Sequence, residues 1–97
     1  MKPYTDYYVC ATGWIRVFVQ PNGHKAANAH LNAHQWHQDD ANRIVHVLDG
    51  EGWEFQLDGH LPQMLNRNQV LFVPRLGFHR LIQTHAKTSL IIHISEF

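Results

Sequence analysis

The sequence predicts an all-β sandwich or barrel, and three observations carry that expectation. Short runs rich in β-branched and aromatic residues recur along the chain. Several of them alternate apolar and polar side chains with a period of two, the mark of a half-buried strand. Clusters of Gly, Pro, Asn and Asp separate them at intervals too short for crossover helices, which excludes a parallel α/β arrangement. Roughly nine or ten short strands are expected, with no long helix.

Tyr4 to Cys10 reads as a first strand at a sheet edge, broken by Thr12-Gly13. In the next run Trp14, Arg16, Phe18 and Gln20 share one side, with Ile15, Val17 and Val19 on the other. Pro21-Asn22-Gly23 is a turn, because Pro presets φ and Asn-Gly tolerates positive φ. His24 to His34 admits two readings. Its alanines favour a short helix, whereas its asparagines and weak amphipathicity favour a loop leading into an irregular strand, the preferred reading, which Gln35 to Gln38 extends. Arg43 to Asp49 is a nearly continuous apolar run, as in a strand covered on both faces. After a turn at Gly50 and Gly52, Trp53, Phe55 and Leu57 alternate with Glu54, Gln56 and Asp58, and Asp58-Gly59 folds this strand back onto His60 to Leu65. Gln69 to Pro74, Phe78 to His85 and Thr88 to Glu96 complete the set.

Ninety-seven residues, 44% of them hydrophobic and 16% charged, make one small globular domain over residues 1–97. Eight basic side chains balance eight acidic ones, which argues against nucleic acid as a partner. Cys10 is the single cysteine, so there is no internal disulfide and no cysteine-based zinc cluster, and the thiol is read as inert. No run approaches the roughly 20 apolar residues that cross a bilayer, and no signal-like segment opens the chain. A soluble cytoplasmic protein is the expectation. The nine histidines are the compositional oddity and make net charge sensitive to pH. His30, His34 and His37 would share one face of a helix, if a helix formed there. His46 and His93 fall inside apolar strands and are expected on an outer face or a subunit contact. Trp53 and Phe55 are expected in the core.

Two stretches carry a family resemblance. In the later one, Asn68 is followed at the right distance by Pro74, then Gly77, His79 and Gln83. In the earlier one, Gly50 closes a segment that places Arg43, Asp39 and His37 at fixed intervals before it. Together they resemble the two motifs of the cupins, small double-stranded β-helix (jelly-roll) barrels. The first motif runs Gly, His-x-His, Glu, Gly; the second runs Gly, Pro-x-Gly, His, Asn. Where the family has a Gly, this chain has Asn68 and, in the first motif, Leu31; the inner Gly of Pro-x-Gly is displaced by one, to Gly77. His37 and His79 stand on histidine positions, Asp39 replaces a histidine, Arg43 replaces the glutamate and Gln83 takes the terminal Asn position.

The resemblance implies a pocket at the barrel mouth and two readings of its use. The preferred one is a small-molecule binding module, for a sugar or organic acid, lined by His37, Arg43, His79 and Gln83. Arg43 would then be the positive charge of the site, as in ligand-sensing barrels of some bacterial regulators. The alternative is a metal-dependent dioxygenase, isomerase or lyase. There His37, Asp39 and His79, with His34 as an alternative ligand, would hold divalent iron, manganese, nickel, copper or zinc. A guanidinium cannot ligate a metal, and Arg43 would compete for Asp39. The surplus of aromatics (Tyr4, Tyr7, Tyr8, Trp14, Phe18) and the Leu90 to Ile94 run suggest a homodimer, as is common among small cupins.

Overall fold

A computed structural model describes residues 4–11, 13–19 and 35–97. The Pro21-Asn22-Gly23 turn, the segment His24 to His34 and the histidines His30 and His34 lie outside them. The strands are β1 (Tyr4–Cys10), β2 (Gly13–Phe18), β3 (Arg43–Asp49), β4 (Glu54–Leu57), β5 (Gln63–Met64), β6 (Val70–Val73), β7 (His79–Ile82) and β8 (Leu90–Glu96). They form two antiparallel sheets, β1-β2-β8-β3-β6 and β5-β4-β7, with no helix among the described residues. Among the described residues eight strands form. His60 to Leu65 keeps only the two-residue β5, and Gln35 to Gln38 contributes only a bridge at His37.

The periodicity of each strand decides what faces the core. Phe18, Val45, Val47, Phe55, Leu71, Val73, Leu90, Ile92 and Ile94 are buried between the sheets, joined by Trp53 and Leu65 from the connections. Each such aliphatic or aromatic side chain contributes about 1.5–3 kcal/mol by leaving water. Trp53 is fully buried and donates its indole N–H to the Thr88 carbonyl at 2.7 Å, so its one polar atom is satisfied.

Strand β3 departs from expectation. It is covered on one face, not two: Val45 and Val47 are buried, whereas Ile44 is exposed and His46 half-buried. The apolar run misleads because Ile44 belongs to an apolar outer sheet surface shared with exposed Val70 and Phe72 on β6. The neighbouring outward positions of β3 and β8, His46 and His93, are direct partners in the ladder, on the outer side as expected. The surplus of apolar residues is also placed differently. Phe18, Leu90, Ile92 and Ile94 are consumed by the core, with Tyr4 and Trp14 packed against it. The exposed large side chains on the five-stranded sheet are instead Tyr7, Tyr8, Val9, Ile44, Val70 and Phe72. No helix of the described residues is long and apolar enough to cross a membrane.

Candidate metal centre at the barrel mouth

Two chain segments meet to build the site. His37 and His79 exchange backbone hydrogen bonds, N to O at 3.0 Å and 2.9 Å, so their side chains emerge side by side. The Leu76 N–H donates to the Asp39 carbonyl at 2.8 Å, and the Arg75 N–H donates to the Asn42 side chain at 2.9 Å. Residues 37–42 are thereby laced to the corner that follows β6.

That corner is a turn closed by the Gly77 N–H donating to the Pro74 carbonyl at 3.0 Å. Its third residue, Leu76, has φ 61°, a left-handed conformation that glycine favours and that a second-type turn requires at this position. Gly77 is needed for a different reason: a Cβ there would stand 2.9 Å from the Pro74 ring. The displaced glycine therefore meets the packing demand of the turn and leaves its backbone strain on Leu76. Asn68, also at a family glycine position, has φ 70°, which Asn tolerates better than most residues.

His79 is buried, and its Nδ1 lies 2.8 Å from the Gly77 carbonyl. A carbonyl only accepts, so Nδ1 carries the proton and Nε2 is the lone-pair nitrogen of the neutral ring. His37 repeats the arrangement, with Nδ1 2.9 Å from the Gln35 carbonyl. The two rings meet edge to face, 4.4 Å between centroids, and Phe55 packs against His79 at 5.8 Å. Burial holds the His37 imidazole below its ordinary value of 6.5, helped by His79 and opposed by the Gln35 carbonyl, which favours the ring form able to ligate a metal.

Asp39 completes the group. His79 Nε2 lies 3.1 Å and Arg43 Nη1 3.2 Å from its Oδ2. Burial raises the carboxyl group's proton affinity, but the His79 contact and then the Arg43 charge outweigh it and hold the carboxyl below its ordinary value. Oδ2 is nonetheless buried without a well-directed hydrogen bond. Arg43 is near enough to act through charge but too poorly aligned to satisfy the oxygen, and the neutral His79 ring turns a lone pair toward it with no proton to give. An ionised buried oxygen beside two histidines anchored through Nδ1 is the donor set of a divalent transition metal: one ligand atom from each of His37, Asp39 and His79, all within 4.8 Å of one another. The residues present therefore fit such an ion.

Arg43 is the departure from that pattern. It points inward from β3 and donates from Nε to Glu96 Oε2 at 2.8 Å, across the β3–β8 ladder. Its guanidinium sits 5.6 Å from the Trp14 ring. Glu96 was not among the residues expected from the sequence, since only the sheet register brings the end of β8 beside the start of β3. Arg16 was also missed; it is held by Asp6 at 2.7 Å and stacks 3.5 Å from the Tyr4 ring.

Behind these groups lies a cavity of about 580 Å³, lined by His37, Asp39, Arg43, His79 and Arg16 at its polar end and otherwise by core residues such as Val45, Phe55, Leu71 and Ile92. Gln83, expected at this site, does not line it. It follows the end of β7, four residues beyond His79 and so about 13 Å further along an extended chain.

No family model and no curated protein matches the sequence. Solved structures do. An RmlC-like cupin with a double-stranded β-helix fold from Methanocaldococcus jannaschii is 16% identical, with 99% of this chain and 80% of that chain aligned at a TM-score of 0.64. A DMSP lyase from Ruegeria pomeroyi is 20% identical, with 97% and 46% covered and a TM-score of 0.65. The Fe(II) form of HppE is 14% identical, with 88% and 41% covered and a TM-score of 0.64. The chain spans less than half the length of the latter two. The fold is thus the cupin double-stranded β-helix, as expected from the two motifs.

Proposed function

We propose that the chain is a metal-dependent cupin that acts on a small molecule in the barrel cavity, with His37, Asp39 and His79 holding a divalent transition-metal ion. One observation carries this reading: both histidines commit Nδ1–H to backbone carbonyls, while the buried Asp39 Oδ2 beside them lacks a directed hydrogen bond. Among similar folds, HppE is an Fe(II) protein.

When bound, such an ion supplies Lewis acidity and open coordination positions for a substrate oxygen. The chain's own residues do the rest. The Gln35 and Gly77 carbonyls fix the ring orientations of His37 and His79. The Arg43 charge favours the ionised form of Asp39. The apolar walls behind the site exclude water from a bound substrate, which strengthens every charge interaction at the mouth.

The metal-free binding module remains the second reading, favoured by the Arg43–Asp39 contact at 3.2 Å, which supplies a resident cation. Elemental analysis decides between them. Protein purified without a histidine tag and equilibrated with Fe(II), Mn(II), Ni(II), Cu(II) or Zn(II) is expected to retain about one ion per chain. His79→Ala and Asp39→Asn should abolish retention. If no metal is retained above the level of those variants, the binding module takes its place.

A further inference from the structure

We infer that the ligand of this site is an organic monoanion, in the simplest case a carboxylate, with an apolar body that occupies the barrel cavity. This rests on the metal reading above and extends it to the substrate class.

The charges at the mouth lead to the sign of the ligand. Arg43 is held between Asp39 at 3.2 Å and Glu96 at 2.8 Å, and all three side chains are at least partly buried. Without an ion, the two carboxylates outnumber the guanidinium by one. A divalent ion on His37, Asp39 and His79 reverses this: three positive charges face two negative ones, and one is left uncompensated. The Arg16–Asp6 pair is already balanced and adds nothing to the sum. An uncompensated charge in a largely apolar enclosure is costly, and a single oxyanion entering beside Arg43 removes that cost. A neutral ligand would leave it, and a dianion would overshoot it.

The walls set the rest of the molecule. Phe18, Val45, Phe55, Leu71, Ile92 and Ile94 line the interior, with no charged side chain among them. A hydrated polyol would lose its water there without recovering hydrogen bonds, whereas an aliphatic or aromatic body gains from burial. The planar fork of Arg43 suits a carboxylate, but its Nε is engaged by Glu96. Glu96 is thus a competitor of the incoming anion for the same guanidinium, and removing its charge should strengthen anion binding.

The test uses the full chain loaded with Zn(II), and calorimetry with benzoate, benzamide and acetate as probes. Benzoate carries both proposed features, benzamide lacks the charge and acetate lacks the body. Benzoate is expected to bind at least tenfold more tightly than either. Glu96→Gln should tighten benzoate severalfold, and Arg43→Gln should weaken it about tenfold or more while zinc binding is retained. These changes of opposite sign would not come from a residue that only supports the fold. Equal binding of benzoate and benzamide to zinc-loaded protein, or weaker benzoate binding in Glu96→Gln, would overturn the monoanion inference and leave the metal reading standing. Failure of zinc to bind at all would remove both.

Discussion

Arg43 and Glu96 face each other across the β3–β8 ladder, and the guanidinium Nε donates to the Glu96 carboxylate at 2.8 Å. The pair is partly shielded, with side-chain exposures of 17% and 35%. A charge-assisted hydrogen bond in such a place is worth more than a solvated surface pair. A double-mutant cycle of Arg43→Ala and Glu96→Ala, read by urea unfolding, should give a coupling of about 1–2 kcal/mol. A coupling near zero would mean that solvent screens the pair and that Glu96 does not restrain Arg43.

The corner at Pro74–Gly77 makes a second prediction. Leu76 holds φ 61° and is half exposed, so its side chain gains little from burial while its backbone is strained. Leu76→Gly should stabilise the protein by about 0.5–1 kcal/mol, the relief of left-handed strain less the entropy that glycine loses on folding. Leu76→Ala keeps the Cβ and should bring no such gain. The comparison needs only two denaturation curves.

Gly52 predicts the opposite sign. Its φ is 85°, and a Cβ would run into the His85 carbonyl of the loop between β7 and β8. That loop is joined to this one by Lys87 N–H donating to the Glu51 carbonyl at 2.7 Å. Gly52→Ala combines strain with a backbone collision and should cost about 2 kcal/mol or more. Thermal melting that leaves the midpoint unchanged would show that the two loops yield more easily than their contact suggests.

Acid sensitivity follows from His37 and Asp39. The His37 pKa is lowered below 6.5 on folding, so the unfolded chain takes up that proton first as pH falls. Its effect is absent well above 6.5, and stability declines from there down to the folded-state value. Asp39 is lowered below 3.8, so its stabilising contribution is present above 3.8 and is lost as pH drops through its folded-state value. For protein in a chelator, urea midpoints should therefore fall between pH 7 and 5. His37→Asn should flatten part of that slope and leave the decline below pH 4 in place. Wild-type midpoints that stay constant across the upper window would refute the effect of burial on His37.

Much of the fold was legible because alternation and turn chemistry act locally. The Gly50 and Gly52 turn, the hairpin of β4 onto β5 and the edge position of β1 all follow from neighbouring residues. The candidate ligands were legible through spacing, since His37, Asp39 and His79 keep the family's intervals although one residue type changed. What escaped was set at a distance. Glu96 reaches Arg43 only through sheet register, and no local pattern marks it. The both-faces reading of β3 failed because an apolar outer surface looks, in one dimension, like an inner one. Gln83 is not among the residues that line the cavity, because a motif position gives spacing along the chain and not the direction in which the chain then runs.

The reciprocal bonds between His37 and His79 have a further consequence. This bridge is a single rung joining segments far apart in sequence, and the bonds of Asp39 and Asn42 that support it all lie on its C-terminal side. An ion gripped by the same two side chains would fasten the bridge itself. Much of its binding energy would then appear as reluctance of residues 35–42 to peel away. Slowed amide exchange at His37 and His79 on metal addition would record that fastening, and a chelator would undo it.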